Sequence, residues 1–600
     1  MRPLLLLAAI SALALSSCFS PGDGQAPPLE RFYFPTGVVL DFTTVRSAPT
    51  EPAAASRLSP TLDSSTKEYV VTAPKYLYAA SSDFDLQYRS SSLASFDLDA
   101  ISQVVPRNCA KNADCKGADE TCDNAPNPGT NGGVPSFFCV SSDTGSLPCG
   151  KFGEHSNADK LLYPGRCNFI DPIKPQDDSN TLLVDSVGIG AFATDVIIRP
   201  NPDSTDLPAR LFLPVRGDAT LHWIDLQNGH FKCGQNNSDD NSCDGLHRAG
   251  NQADLNPDQI IQPSEPFAIA ATQDGTSVAV TNQTTGSVSL FVNNWTSDKG
   301  PALASIATGL PSAPVGIAAI PDTLPASTNP PAGFLVAYRN APQIDLLRLR
   351  SDPAPPDPSG TTVSGMRYVL TPAASAPINA NSLGFDSRGI VIDDAQRLRE
   401  YAACSVPCTG LTDDALAACQ ATPAFLSCVQ VTHQPDVYVS NRAPSSLLVG
   451  RMTPDFSYAN GSSELPSFID SVALTSGPSR VVLGNVKVPV AATPDPTGAN
   501  DSTVFKDAGG SYQLERRVFV VCFDSRRIFV YDPKRRVIEA SITTGRGPFA
   551  LAVDDARGLG YVAHFTDSYL GVISLDQRFP QTYASVVASI GPPSPPRASK

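Results

Sequence analysis

A repeated pattern of short strands constrains the fold of this chain more than any other feature. Residues 264–294 read SEPFAIAATQDGTSVAVTNQTTGSVSLFVNN, and residues 547–577 read GPFALAVDDARGLGYVAHFTDSYLGVISLDQ. Both stretches alternate short apolar runs with turns rich in Gly, Asp, Asn and Thr, a pattern that predicts three antiparallel strands. Three such strands cannot bury their own faces, so each copy must pack against other copies.

Looser copies of this pattern fill the rest of the chain and divide it into seven units. Each unit is expected to end with a fourth strand, such as 302–306 or 537–542. Units of four antiparallel strands with a repeat of roughly 45 residues are typical of propeller blades, which stack around an axis and bury both faces against neighbours. The sequence therefore predicts an all-β, seven-bladed β-propeller over residues 31–591, with rings of six or eight blades left open.

The repeat resembles the YVTN-type seven-bladed β-propellers, whose name describes a strand like VAVTN at residues 278–282. The likeness covers nearly all of residues 32–591 and is strongest in the third and seventh units. Some propellers of this broad type are sugar lactonases, and others carry redox or metal centres. The chain is expected to begin with an inner strand and to end with an outer strand at 583–590. The ring would then close without strand exchange, unless residues 30–34 add an edge strand to the last blade.

The N-terminal residues predict export and a lipid anchor. An apolar stretch at residues 4–15 is shorter than the roughly 20 residues that a transmembrane helix needs, and it is typical of a signal peptide. The following LSSC resembles a bacterial lipobox, which implies removal of residues 1–17 and lipidation of Cys18. An ordinary signal peptide with an incidental cysteine is the alternative.

The residues around the anchor indicate where the protein is held. Phe19 follows the cysteine, which by the same resemblance favours the outer membrane. Residues 18–30 are rich in Pro and Gly and are predicted to form a flexible tether, and residues 592–600 a disordered tail.

The other cysteines indicate disulfides in an oxidising compartment. Twelve of them fall into three local clusters with even counts, as disulfide closure requires. They are Cys109, Cys115, Cys122, Cys139, Cys149 and Cys167; Cys233 and Cys243; and Cys404, Cys408, Cys419 and Cys428. Zinc binding is the alternative, although no cluster shows paired C-x2-C knuckles. Cys522 lies in an apolar strand and is predicted to be a buried thiol.

Insertions explain the irregular spacing of the repeats. They are predicted at about residues 107–178 (between blades one and two), 227–258, 396–434 and 489–514. The third insertion contains the one plausible helix, Thr412–Cys419, with Thr412 as its N-cap. The fourth is predicted to be a polar loop. Such loops should lie at the ends of the propeller, where function is usually found.

Charge and motifs exclude several classes of function. The net charge is −15, and no Lys/Arg cluster offers the basic surface that nucleic-acid binding requires. Two G-x-G-x-x-A stretches, at 188–193 and 545–550, resemble dinucleotide fingerprints. Both precede β-rich runs rather than a helix, so they are interpreted as turns that enter an inner strand.

Candidate ligand contacts are few. His564 occupies the position in the last unit that Asn282 occupies in the third, at a junction between strand and loop. Either residue is a candidate ligand contact, and a hydrogen-bonding role within the blade is the alternative. The acidic loop at 236–245 could offer oxygen ligands to Ca²⁺, but it lacks the alternation of an EF-hand loop. No catalytic residue is assigned.

These observations favour a lipid-anchored outer-membrane propeller that serves as a binding or scaffold protein for protein or glycan partners in the cell envelope. A lactonase-like hydrolase or a cofactor-bearing propeller enzyme is the alternative, and a purely structural envelope protein is a third possibility. The membrane is expected to be contacted through the lipid anchor only.

Overall fold

Seven antiparallel sheets follow one another along the chain in the computed structural model, and in each sheet four strands pair in the order inner, second, third and outer. The structure describes residues 25–42, 61–62, 69–70, 73–106, 108–109, 111–115, 120–123, 138–141, 169–173, 181–204, 206–234, 241–251, 260–295, 300–321, 333–353, 366–378, 385–408, 411, 413–453, 465–490, 504–507 and 509–592. This arrangement confirms the predicted all-β fold and its seven blades.

The four main strands of each blade follow one another in chain order, from the inner to the outer edge of the sheet. Blade one contains Pro35–Leu40, Tyr76–Ser81, Ser91–Asp97 and Leu183–Ile189; blade two Ile197–Pro200, Ala209–Val215, Thr220–Gln227 and His230–Lys232; blade three Pro266–Ala271, Ser277–Asn282, Ser287–Val292 and Ala302–Ala307; blade four Pro314–Ala319, Gly333–Tyr338, Gln343–Pro353 and Met366–Pro377. Blade five contains Phe385–Asp393, Asp436–Ala443, Ser445–Met452 and Pro466–Ala473; blade six Pro478–Pro489, Gly510–Cys522, Arg527–Asp532 and Val537–Thr543; blade seven Pro548–Asp554, Leu559–His564, Tyr569–Ser574 and Ser585–Ile590.

Shorter elements decorate this ring. Strands Thr61–Leu62, Tyr69–Val70 and Phe505–Asp507 join the sheet of blade six, Arg248–Ala249 joins blade two, and Glu120–Asp123 pairs with Phe138–Ser141 as a separate hairpin. The helices are Leu98–Val104, Ala395–Ser405, Asp413–Gln420 and Pro423–Gln430, with short 3-10 turns at Asn112–Asp114, Gly245–His247 and Val406–Cys408. Among the described residues, no helix has the length and apolar character that a membrane span requires.

The core of the protein lies between the blades. Buried apolar side chains form seven large clusters, one at each interface between neighbouring blades. The second strands are buried along their whole length in blades one, three and four, because both of their faces are covered by adjacent sheets. Each set of strands, which cannot bury its own faces, is therefore buried by the neighbouring blades.

The ring closes through side-chain packing between the first and last blades. One of the seven clusters joins Leu77 and Phe96 of blade one to Tyr561 and Leu570 of blade seven. The four main strands of blades one and seven stay in their own sheets among the described residues, but a short strand from the blade-one insertion is added to the sheet of blade seven. The extra edge strand on blade seven is Phe169–Ile170, which pairs in parallel with the outer strand, rather than residues 30–34.

Three predictions about the insertions are wrong. The first insertion lies inside blade one, because the outer strand Leu183–Ile189 follows it. The third insertion contains three helices rather than one. Helix Asp413–Gln420 confirms the one predicted at 412–419, although its predicted cap Thr412 lies outside the described residues. The fourth insertion is shorter than 489–514, because the inner and second strands of blade six extend into it and pair as far as Pro489 and Tyr512.

The two ends of the chain lie mostly outside the described residues, which exclude 1–24 and 593–600. The predicted signal peptide, the predicted lipidation site Cys18 and nearly all of the predicted tail fall there. Of the predicted tether, residues 25–30 are described. Gln25 contacts the first blade, where its carbonyl oxygen accepts a hydrogen bond of 3.1 Å from the Arg89 N–H.

Gly547, immediately before the inner strand of blade seven, allows a test of this packing. Its φ is +64°, and a Cβ atom there would lie 2.8 Å from the backbone nitrogen of Thr566. We expect Gly547→Ala to lower the free energy of unfolding, measured in urea, by about 1–3 kcal/mol. The matched control is Ala313→Gly at the equivalent position of blade four, where φ is +58°. It should not destabilise the protein, and an equal loss in both variants would contradict this explanation.

Candidate functional site

One end of the ring is built by the same backbone device in every blade. In six blades, the residue just before the first paired residue of the inner strand has a positive φ. In blade five, the second residue of the inner strand does. The seven φ values lie between 48° and 86°. These residues are Phe34, Phe192, Glu265, Ala313, Asp386, Gly477 and Gly547. We call this end of the ring, where the inner strands begin, the entry face. It also carries the loops between second and third strands, because the inner and second strands are antiparallel.

A backbone hydrogen bond fixes this device in six of the seven blades. We call the residue with the positive φ the left-handed residue of its blade. Its carbonyl oxygen accepts a hydrogen bond from the N–H of the residue that follows the second strand, with N···O distances of 2.7–3.1 Å. The donors are Ser82, Arg216, Gln283, Arg339, Phe523 and Phe565. A shift in strand register then follows within the inner strand in blades one and three to seven. Such irregularities redirect side chains, here at the central opening of the ring.

An ion pair crosses the axis at the entry face. Arg480 lies near the start of the inner strand in blade six, and its Nη1 is 2.8 Å from Oδ1 of Asp195, at the start of blade two. Blades seven and one separate these two blades in the ring, so the contact spans the central opening. The Arg480 guanidinium also lies over the ring of Phe549, 5.2 Å from its centroid. Together these groups occupy the centre of the entry face.

Six phenylalanines cover one half of the entry face, in blades six, seven, one and two. We call them the aromatic cluster: Phe34, Phe84, Phe192, Phe523, Phe549 and Phe565. Phe84 links the blades, since its ring centroid lies 6.0 Å from that of Phe34, 6.2 Å from Phe192 and 5.3 Å from Phe565. It is nevertheless 53% exposed, and nearby Leu86 is 55% exposed. Large exposed apolar side chains that are grouped together mark interaction sites.

Arginine–carboxylate pairs cover the other half of the entry face, in blades two to six. Arg216 contacts Glu265 at 2.6 Å, Arg388 contacts Asp386 at 2.5 Å, and Arg442 contacts Asp524. Arg339 lies 3.9 Å from Asp386. The entry face is therefore divided into an aromatic half and a charged half, and Arg480 contacts Phe549 of the aromatic half.

A buried carboxyl group supports the loop that carries Phe84. Asp83 is fully buried, and its Oδ1 accepts a hydrogen bond of 3.1 Å from the Tyr88 N–H. Its Oδ2 has no hydrogen-bond partner among the described residues. Burial raises the pKa of Asp83 to about 7, despite the hydrogen bond from Tyr88. The φ of Asp83 is +48°, a conformation that Asp tolerates better than most residues.

The two candidate ligand contacts, His564 and Asn282, occupy equivalent positions inside their blades, and both are fully buried. Asn282 accepts a hydrogen bond from Gln262 at 2.6 Å and donates to the hydroxyls of Ser287 and Ser289 at 3.2 and 2.9 Å. These partners satisfy the amide within the blade. Neither candidate side chain reaches the surface of the entry face.

His564 holds the second of the two glycine-containing turns. Its Nε2 accepts a hydrogen bond of 3.1 Å from the Gly545 N–H, and its ring stacks on Tyr569 with centroids 4.2 Å apart. Burial lowers the pKa of His564 to about 3, against the opposing effect of backbone carbonyls at Val562 and Tyr569. The imidazole is therefore neutral. Both glycine-containing turns lead from an outer strand into the next blade, and neither opens a helix.

Ten of the twelve predicted disulfide cysteines are paired. The bonds join Cys109 to Cys122, Cys115 to Cys139, Cys233 to Cys243, Cys404 to Cys428, and Cys408 to Cys419. Cys149 and Cys167 lie outside the described residues. Among the residues described, one group has metal-ligand side chains close enough to share an ion, Cys109, Cys115 and Cys139, and all three are in disulfides. Cys522 is a buried free thiol, and burial raises its pKa to about 12.

The proposed Ca²⁺ loop is described only at its end. Residues 235–240 are outside the described part of the chain. Asp244 accepts hydrogen bonds from the backbone N–H groups of Leu246 and His247, at 3.0 and 3.2 Å. Its carboxylate thus caps the short turn that follows it.

The chain matches no protein-family model, and no curated protein matches its sequence. Solved structures resemble this chain at low identity and low TM-score. A protein from Lactobacillus plantarum is 12% identical with a TM-score of 0.36, covering 82% of this chain and 93% of its own. A protein from Bacteroides uniformis, provisionally assigned as a 6-phosphogluconolactonase, is 11% identical with a TM-score of 0.34, covering 80% of this chain and 91% of its own.

The hydrazine synthase of Kuenenia stuttgartiensis is 12% identical with a TM-score of 0.29, covering 63% of this chain and 94% of its own. At TM-scores below 0.5, none of these similarities carries an argument about the function of this chain.

The acid sensitivity of the fold should report the burial of His564. The unfolded histidine titrates near 6.5 and the folded one near 3, so the unfolded state gains a proton first and stability is lost as the pH falls below 6.5. His564→Asn, the residue that blade three uses, should remove about 2–3 kcal/mol of the loss between pH 7.5 and 4.5.

The measurement is urea unfolding at several pH values. His230→Asn, which replaces a histidine whose side chain is 54% exposed, is the control and should change the acid slope much less than His564→Asn does. An unaltered acid slope in His564→Asn would contradict the assignment of a neutral, buried imidazole.

Proposed function

We propose that this propeller is a binding protein that holds a polypeptide partner of the cell envelope on the aromatic cluster of its entry face. The observation that carries the proposal is Phe84, an exposed ring packed between blades one, two and seven beside the central opening. Contacts on three sides restrict its motion, so a partner would bind it with little loss of side-chain entropy.

The composition of the entry face favours a protein partner over a glycan. Protein interfaces are enriched in aromatic residues and arginine, with aliphatic and aromatic anchors surrounded by polar groups. Here phenylalanines and Leu86 lie beside arginine pairs. The centre is occupied by the Arg480–Asp195 pair, which favours binding across the face rather than entry of a small substrate into a funnel.

We further propose that the chain is anchored to the outer membrane through a lipid on Cys18. Gln25 lies seven positions after this cysteine, and its carbonyl oxygen accepts a hydrogen bond from the Arg89 N–H in the same loop region as Phe84. An extended chain of that length reaches about 25 Å. The entry face would therefore stay close to the membrane surface, and its partner would be an envelope protein that is itself near the membrane.

Capture in intact cells tests the proposed interface. A photo-crosslinker at position 87, beside Phe84, should trap a polypeptide partner. Phe84→Ser combined with Leu86→Ser should abolish the cross-link, because the apolar anchors are lost. The control, Ile469→Ser, replaces an exposed apolar residue of the blade-five outer strand that is 52% exposed, and it should leave the cross-link intact.

Two results would contradict the proposed interface. One is equal capture by the double variant and the wild-type chain. The other is binding of the unlipidated chain to phospholipid vesicles that depends on Phe84 and Leu86, since the aromatic cluster would then be a membrane-contacting surface.

Metabolic labelling tests the anchor separately. Cells grown with labelled palmitate should incorporate the label into the wild-type chain, and Cys18→Ser should release the protein from the membrane fraction without label. Recovery of an unlabelled wild-type chain would contradict the lipid anchor and leave the cross-linking result unaffected.

A further inference from the structure

Three arginines lie close together on the charged half of the entry face, at the junction of blades four and five. Arg339 follows the second strand of blade four, Arg388 lies at the start of the inner strand of blade five, and Arg442 lies at the end of its second strand. The left-handed residue Asp386 lies among them, and Asp524 contacts Arg442 from blade six. The backbone device of the entry face thus brings residues from three blades together.

The acidic partners do not satisfy these arginines equally. Both oxygens of Asp386 are engaged by Arg388, through Nε at 2.5 Å and Nη2 at 3.1 Å. Arg442 donates to Asp524 through Nη2. Arg339 approaches Asp386 only at 3.9 Å, beyond hydrogen-bond distance, and its guanidinium has no hydrogen bond among the described residues. Since a guanidinium offers five N–H donors, Arg339 is the arginine of the three whose donors are available to a ligand.

The local charge balance is positive in a strongly acidic protein. Three guanidinium groups face two carboxylates, which leaves an excess of one positive charge, whereas the whole chain carries −15. Burial and the neighbouring charges of Arg388 and Arg442 hold the pKa of Arg339 below its usual range, although Asp386 opposes them. Like charges held together in a partly buried position destabilise one another, and an added anion would remove that repulsion.

We propose that Arg339, Arg388 and Arg442 form a binding site for an oxyanion, either a carboxylate or a phosphate or sulfate group. Arginine is suited to such groups because its planar N–H donors pair with two oxygens at once. The Arg339 side chain is 39% exposed and that of Arg442 26%, so an anion can approach from solvent. The inference concerns the charged half of the entry face and does not require the aromatic cluster to bind a protein.

These contacts give each of the three arginines a different role in binding the anion. Arg388 is held in a two-point pair with Asp386, so it supplies a fixed positive charge. Arg339 would supply the direct hydrogen bonds, because its donors are not engaged within the described part of the chain. Arg442 has one nitrogen on Asp524 and would contribute through its remaining N–H groups.

Calorimetric titration with inorganic phosphate, sulfate and acetate tests the site, with ionic strength held constant by chloride. We expect at least one of these oxyanions to bind the wild-type chain, and Arg339→Gln to weaken that binding by about tenfold or more, as loss of a charge-assisted hydrogen bond predicts. A preference for phosphate and sulfate would identify a tetrahedral group as the ligand, and a preference for acetate would identify a carboxylate.

The control variant is Arg399→Gln, which removes an exposed arginine from helix Ala395–Ser405, beyond the other end of the same inner strand. It should bind the anion as the wild-type chain does. Arg339→Gln should keep the wild-type melting temperature, because Arg339 makes no close ion pair that the fold needs. Equal anion binding by wild type and Arg339→Gln, or the absence of binding by all three anions, would overturn the proposal.

Discussion

The structure depends on one backbone constraint, which is the left-handed residue that begins each blade. A positive φ turns the chain into the inner strand, and in six of the seven blades the carbonyl oxygen of this residue then accepts a hydrogen bond from the N–H that follows the second strand. A non-glycine residue in this conformation costs about 1 kcal/mol or more, and five of the seven blades accept that cost. Packing of the blades must supply the compensation, which is consistent with the large apolar cluster at every interface.

The same constraint explains why charged and aromatic side chains lie together at one end of the ring. It brings seven loop entries to a common face and shifts the register of the inner strands beside them. Arg480 and Asp195 meet across the axis as a result, although they are 285 residues apart. The rings of blades six, seven, one and two form one surface, and the arginines of blades two to six form another. A face divided in this way suits a partner with both apolar and acidic groups.

Much of the fold could be predicted from the sequence, because the strand pattern repeats. The equivalence of His564 and Asn282 is an example, since both end the second strand of a blade and pair with a proline at the start of the inner strand. The exchange of His for Asn is matched by a second exchange, because Gly571 leaves room for the imidazole where Ser289 binds the Asn282 amide. Insertions obscured the pattern, since the outer strand of blade one lies beyond an insertion of roughly eighty residues and carries no repeat signal of its own.

The entry face itself could not be predicted from the sequence. Phe84, Arg339 and Arg480 have no motif around them, and their partners lie in other blades. The sequence does contain a weak indication of this face. The residues that follow the second strands include Arg216, Arg339, Phe523 and Phe565, which are not typical turn residues. Aligning the blades by their inner-strand prolines would have shown these side chains at one level of the ring. Their contacts, however, depend on the order and closure of seven blades.

Hydrogen exchange of the backbone amides tests most directly whether the entry face is the binding surface of this propeller. The full chain would be measured alone and in complex with the partner recovered by cross-linking. Binding at the entry face predicts slower exchange in residues 82–90, 523–526 and 565–568, with the outer strands unchanged. Protection confined to the helical insertion at 395–430 or to the outer strands, with the entry loops exchanging as in the free chain, would contradict the account.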